Sequence, residues 1–449
     1  MKLQAILVTI FSEDVLHSEH KKDLSEERQI TYRPVRVSNI GFHLLSYLVH
    51  SWKADSLTMV NWLPFEIWST IFQFLIEGNN TTQYRVLLLQ VNQEWRQIAC
   101  AMPNLWTDLE IRTVDPSKAQ FFLSHSGVLP IDVRITWVKF SATRNPDIKA
   151  LTDALSNHVY RIRSLDIHVQ MHKYADMFIA HIGAEQDAPC LESLCVKVKR
   201  RQPNYPPGKR FASLKTAFRT TPNLKHLSLP ACPLPNFNSP IFSTSSIAHL
   251  TLDATPFDAG IDSNMLFNAL LAVCQNLRSF TLKGSTSLLF LTRPSFPRLN
   301  MPRLTSVNVG ASGWGLDILD TFRAPMLSDV RLDALEQKYH WSPEDWGLRY
   351  GGYATVSLRI LSDRSPSIKR LDLAGIAFII PETIYAWLFD NAFPMLEELR
   401  FEHADISDDL LARAAVGGLP RLRKLEICNC AAFFLFHDRL QDLSMEKLW

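Results

Sequence analysis

The sequence predicts an α/β solenoid of parallel strands preceded by a small all-α module. Three observations carry that expectation. An apolar-x-x-apolar-x-apolar pattern recurs ten times between Ile162 and Ile427. Most copies are introduced by a proline and a small or polar residue. Just before them, near Leu63, the apolar spacing changes to the i, i+4 rhythm of a helix. The chain has 449 residues, too many for one ordinary core, and 47% of them are hydrophobic against 20% charged, which is material for an extended array and not for global disorder.

Composition excludes several classes of function. A formal net charge of +2 lacks the basic surplus of a dedicated nucleic-acid binder. Seven scattered cysteines, an odd number, read as reduced thiols in a cytoplasmic or nuclear protein. Cys428 and Cys430 form a C-x-C, but no second ligand pair accompanies it, so a strand end is expected and no metal. No run is long and apolar enough for a spanning helix. The start, MKLQAILVTIFSED, is too short and too soon acidic for a secretion signal. Residues 1–60 read as a leader, charged from Ser18 to Tyr32 and amphipathic from Gly41 to Trp52.

The next element, 61–109, is helical. Pro64 suits a first turn, where its missing N–H has no partner to lose, and Glu66 meets the positive end of the helix dipole. Ile67, Ile71 and Leu75 recur four apart, with Trp68 and Phe72 one step round, giving one broad apolar stripe. Gly78-Asn79-Asn80 stops that helix, and a second apolar run leads from Tyr84 to Val91. Val91 and Trp95, four apart, are expected on one helix face. Helices this short need tertiary packing, so some apolar surface is expected to seek a partner.

L-P-x-E-I-W-x-x-I-F-x-x-L, a spacer, and then L-L-x-V-N-x-x-W-R-x-I-A-x-x-x-P-x-L-W closely resembles the F-box over residues 61–109. The resemblance implies docking on a Skp-type adaptor within a cullin–RING ubiquitin ligase of the SCF type. Carried over by position, Leu63, Pro64, Ile67, Ile71, Phe72 and Leu75 would contact the adaptor from the first half, and Val91 and Trp95 from the second.

The remainder, 110–449, is repetitive. The copies begin at Ile162, Leu191, Leu224, Ile247, Leu277, Leu304, Leu327, Ile368, Leu396 and Leu422, between 23 and 41 residues apart, against 20–29 for leucine-rich repeats. The longest step marks an insertion at 336–355. Each L-x-L is expected to be a short strand with leucines inward, parallel to its neighbours on a concave face, and segments such as MLFNALLAVC are expected to cover it as helices. Trp106–Ile111 and Ile131–Ile135 look like irregular entry copies.

If the strands align, outward residues form columns. In the last four copies the first column reads Asp329, Arg370, Glu398, Lys424 and the second Arg331, Asp372, Arg400, Glu426, alternating in sign both ways. Opposite charges at lateral neighbours contribute roughly 0.2–1 kcal/mol each. Earlier copies offer Ser164, Ser193, His226, His249, Ser279 and Ser306, a neutral groove. The charged end is the candidate substrate-binding face. The basic stretch 197–210 reads as a solvated loop, and HWSPEDWGLRYGGY as a partner-binding loop or a cap. No nucleophile–base motif or phosphate loop stands out, so no enzymatic activity and no cofactor are expected. The function expected is recognition of a protein substrate for a ubiquitin ligase; the alternative is a repeat-based scaffold working outside any ligase.

Overall fold

The computed structural model describes residues 64–77, 82–136, 145–199, 214, 216–230, 239–243, 246–254, 263–285, 297–333, 352–376, 381–403 and 419–428. The chain divides into two compact units, Met1–Leu63 with Phe74–Asn80, and Pro64–Gln73 with Thr81–Trp449. Described residues of the first unit are the last turn of one helix; everything below concerns the second unless stated. The leader 1–60 and most of the basic stretch 197–210 lie outside the described residues.

Helices come first: α1 (Phe65–Glu77), α2 (Thr82–Val91) and α3 (Gln93–Cys100). Val91 and Trp95 do not share a helix. Asn92 between them is extended (φ −158°, ψ 177°), and its side-chain oxygen accepts from Trp95 N at 2.7 Å, capping α3. The spacing was helical, but an asparagine that can cap competes with helix continuation and wins here.

A 3₁₀ turn, Pro103–Trp106, leads into the sheet. Its strands and helices follow as β1 (Asp108–Ile111), α4 (Pro116–His125), β2 (Ile131–Thr136), α5 (Asn145–Ser156), β3 (Ile162–Val169), α6 (His172–Ile182), β4 (Ser193–Val198) and β5 (His226–Pro230). Then come α7 (Pro240–Ser243), β6 (His249–Ala254), α8 (Ser263–Val273), β7 (Ser279–Ser285), β8 (Leu299–Asn300), β9 (Ser306–Ser312), a long 3₁₀ segment (Gly313–Thr321), β10 (Phe322–Arg323) and β11 (Asp329–Asp333). The series closes with α9 (Gly352–Arg364), β12 (Arg370–Ala374), α10 (Pro381–Trp387), a π turn (Leu388–Ala392), β13 (Glu398–Glu402) and β14 (Lys424–Cys428). Twelve strands form one open parallel sheet in chain order, skipping only β8 and β10, which pair with each other. This is an α/β fold.

Local chemistry explains the repetition. Before seven strands the chain makes the same tight turn with proline in second place. Leu191, Leu224, Leu304, Leu327, Ile368, Leu396 and Leu422 each donate an N–H to the carbonyl three residues back, at 3.1–3.4 Å. Proline presets the backbone angle such a turn requires. The residue before each proline, Thr221 and Ser365 among them, is buried. Along each strand the burial then alternates, as with Leu371 and Leu373 inside and Arg370 and Asp372 outside. Each fully buried leucine contributes roughly 2 kcal/mol. Helices α4, α5 and α6 pack side by side, and α6 lies on β3 and β4.

Two buried arginines fasten the first strands. Arg85 of α2 donates to the backbone carbonyl of Asp108 and reaches its carboxylate at 3.2 Å, tying the helices to β1. Arg161, 2% exposed, donates to Leu123 O at 2.7 Å, Leu129 O at 3.0 Å and Ser126 Oγ at 2.9 Å. It sits at the carbonyl end of α4, where the helix dipole favours a cation.

Two elements depart from the sequence expectation. The pair β8–β10 and the 3₁₀ segment between β9 and β10 were not foreseen, because two-residue strands leave no periodicity to read. The insertion at 336–355 is helical from Gly352 onward, as the first turn of α9; residues 336–351 lie outside the described set.

Candidate functional site

In the helical module the stripe of α1 splits by depth. Trp68 and Phe72 turn inward and meet Trp95 of α3, with ring centroids 5.7 Å (Trp68–Phe72), 5.0 Å (Trp68–Trp95) and 5.0 Å (Phe72–Trp95) apart. Phe72 is 0% and Trp95 3% exposed, so these two hold the helices together and present no surface. Pro64 and Phe65 are exposed, and Ile67, Ile71 and Val91 half-buried. In the other unit, Phe74 is exposed and Leu75 half-buried. Leu63 lies outside the described residues. Trp106 is buried below, donating from Nε1 to Ala99 O at 2.8 Å and packing edge-on to Phe122.

On the outward face of the sheet the columns are in register. Asp329 pairs with Arg370, Arg370 with Glu398 and Glu398 with Lys424. One step along, Arg331 pairs with Asp372, Asp372 with Arg400 and Arg400 with Glu426. The charges engage one another. Arg331 reaches Asp372 at 2.7 Å, Asp333 at 3.1 Å and Glu402 at 3.6 Å. Arg400 reaches Glu402 at 3.1 Å and Glu426 at 3.9 Å, Lys424 reaches Glu426 at 2.6 Å, and Arg370 bridges to Asp329.

Burial sets the balance inside this network. It works against the Arg331 guanidinium, but Asp372, Asp333 and Glu402 outweigh it and raise the pKa. At Asp372 burial wins over Arg331 and Arg400, and the carboxyl is pushed above its ordinary value. Asp333 and Glu402 occupy a third column that sequence reasoning did not extend to, although the same period of two reaches it.

The neutral columns are also in register, from Ser164 and Ser193 through His226 and His249 to Ser279 and Ser306. The rings of His226 and His249 stack at 4.3 Å and 2°, and His249 Nδ1 lies 2.8 Å from Ser279 Oγ. Burial, then the charges of His226 and Arg278, hold the His249 pKa below its ordinary value.

A cluster not seen in the sequence lies on β3 and β4. Asp166 Oδ1 stands 2.8 Å from His168 Nε2, and Cys195 Sγ 3.8 Å from the same nitrogen. Asp166 and Cys195 are lateral partners, and His168 is two residues along β3. Extending the column argument to the second and third outward positions of these strands would have found them.

No protein-family model and no curated protein matches this chain. Among the described residues no helix is long and apolar enough to cross a membrane.

Proposed function

We propose that the chain is the substrate-recognition subunit of an SCF-type ubiquitin ligase. Its 61–109 segment is an F-box that docks a Skp-type adaptor and, through it, a cullin–RING ligase. Its 110–449 segment is a leucine-rich-repeat-like solenoid that holds a protein target. The observation that carries the reading is the ordered F-box-like pattern on three short helices whose aromatic core is closed while Pro64 and Phe65 stay exposed. A module that needs only apolar shape for attachment has no use for reactive groups, and catalysis is then proximity supplied by the assembly. The in-register sheet, with prolines opening its turns, supports the repeat assignment.

Within the module, burial sorts the roles. Pro64, Ile67, Ile71, Leu75 and Val91 remain adaptor contacts, joined by Phe65, and Leu63 is kept on the sequence pattern alone, while Phe72 and Trp95 act by keeping the helices assembled. Leu63→Ala with Pro64→Ala abolishes adaptor co-purification while the circular dichroism of the chain is unchanged. Undiminished capture refutes the docking assignment. Capture of the adaptor without co-migration of a cullin favours the alternative, a scaffold outside any ligase.

A further inference from the structure

We propose that Asp166, His168 and Cys195 form a binding site for one divalent transition metal ion, zinc by the chemistry of the donor set, on the outward face of β3 and β4. One imidazole nitrogen, one sulfur and one carboxylate oxygen lie within 4.8 Å of one another, and all three residues are half-buried. Mixed nitrogen, sulfur and oxygen ligation is characteristic of zinc, and a site with three protein ligands leaves a fourth position for water.

The geometry fits coordination better than proton relay. A relay from an acid through histidine to a thiol uses the two ring nitrogens separately. Here the carboxylate and the sulfur both approach Nε2. Asp166 Oδ1, moreover, is shielded from water and stands 2.8 Å from His168 Nε2. Tetrahedral zinc with bonds of about 2.0 Å to nitrogen and 2.3 Å to sulfur sets those atoms about 3.5 Å apart. The observed 3.8 Å is close, and the carboxylate has to swing out by roughly half an ångström. Arg134 holds the other oxygen, Oδ2, at 3.4 Å, which leaves Oδ1 for the ion.

The thiol is protonated without metal. Burial, then the charge and hydrogen bond of Asp166, push Cys195 up to about 12. That makes it a poor nucleophile at neutral pH. A bound cation replaces this proton: the S–H bond breaks, a metal–sulfur bond forms, and the proton leaves to water. Arg134 and Lys197 flank the cluster and weaken binding of a cation, and Ser228 shares a hydrogen bond with Cys195 that the ion has to displace.

The test is a titration of the full-length protein, stripped of metal, with cobalt(II), whose bond to thiolate gives a near-ultraviolet charge-transfer band. The expected result is a band that saturates at one equivalent per chain and is abolished by zinc. Cys195→Ser loses it with unchanged circular dichroism, while Cys190→Ser keeps it. Should Cys195→Ser fail to fold, Asp166→Asn serves instead, retaining the band but weakening affinity more than about tenfold. Absence of a band at one equivalent, a band kept in full by Cys195→Ser, or unaltered affinity in Asp166→Asn overturns the site.

Discussion

Arg161 and Arg331 each place a guanidinium against protein, and they do so in opposite ways. Arg161, near the start of the sheet, is buried and meets carbonyls and a hydroxyl. Arg331, towards the end, is half-exposed and meets three carboxylates. Burial pulls Arg161 below its ordinary pKa, whereas the acids raise Arg331 above its own. Of these two, the charge fixed by dipoles is part of the core, and the one fixed by other charges is part of the surface. The C-terminal checkerboard is largely occupied with itself, so a target that uses it has to displace internal partners.

Substitutions break this comparison at different costs. Arg161→Met has the largest effect. It takes the side-chain donor from Leu129 O and one hydrogen bond each from Leu123 O and Ser126 Oγ, which keep the 3.1 Å bond between them, and about 2 kcal/mol of stability is lost. The check is the midpoint of denaturant unfolding, and the loss is insensitive to salt. Arg331→Met costs about 1 kcal/mol, because exposed ion pairs are screened. Its deficit shrinks in high salt, and equal deficits in low and high salt contradict the division drawn here.

The smallest effect sharpens the comparison at a surface ion pair. Asp187 accepts from Arg219 and, at 2.7 Å, from Thr220 Oγ1. The Arg219 hydrogen bond, then that of Thr220, pull the carboxyl from 3.8 down to about 2. A depressed acid contributes stability above its ordinary value and loses it as pH falls through the folded one. Wild type and Arg219→Gln therefore differ slightly at pH 5 and converge as pH drops from 3.8 towards 2. Thermal unfolding across that range decides the matter.

The sequence revealed much of the fold because the parallel sheet repeats one physical device. Leucines two apart, opened by proline, fix a strand and its inward face, so the register of Asp329, Arg370, Glu398 and Lys424 followed by arithmetic. Where a single residue decides between two structures, the pattern failed: Asn92 ends one helix and starts another. Depth was hidden too. Phe72 and Ile71 are neighbours of like hydropathy, and only packing tells which one turns inward. The Asp166, His168 and Cys195 cluster was illegible one strand at a time, since its parts come from β3 and β4 and meet across a ladder.

Gly310 carries a related constraint: a Cβ there would stand 2.6 Å from Asp333 O, so β9 passes Asp333 at that point only as a glycine. The proline turn has the wider consequence. Because it restarts the phase of the chain just ahead of a strand, whatever happens between strands is forgotten before pairing begins. Insertions and deletions there leave register intact, which is how steps as unequal as 23 and 41 residues coexist in one ladder. Length varies between strands while their pairing does not.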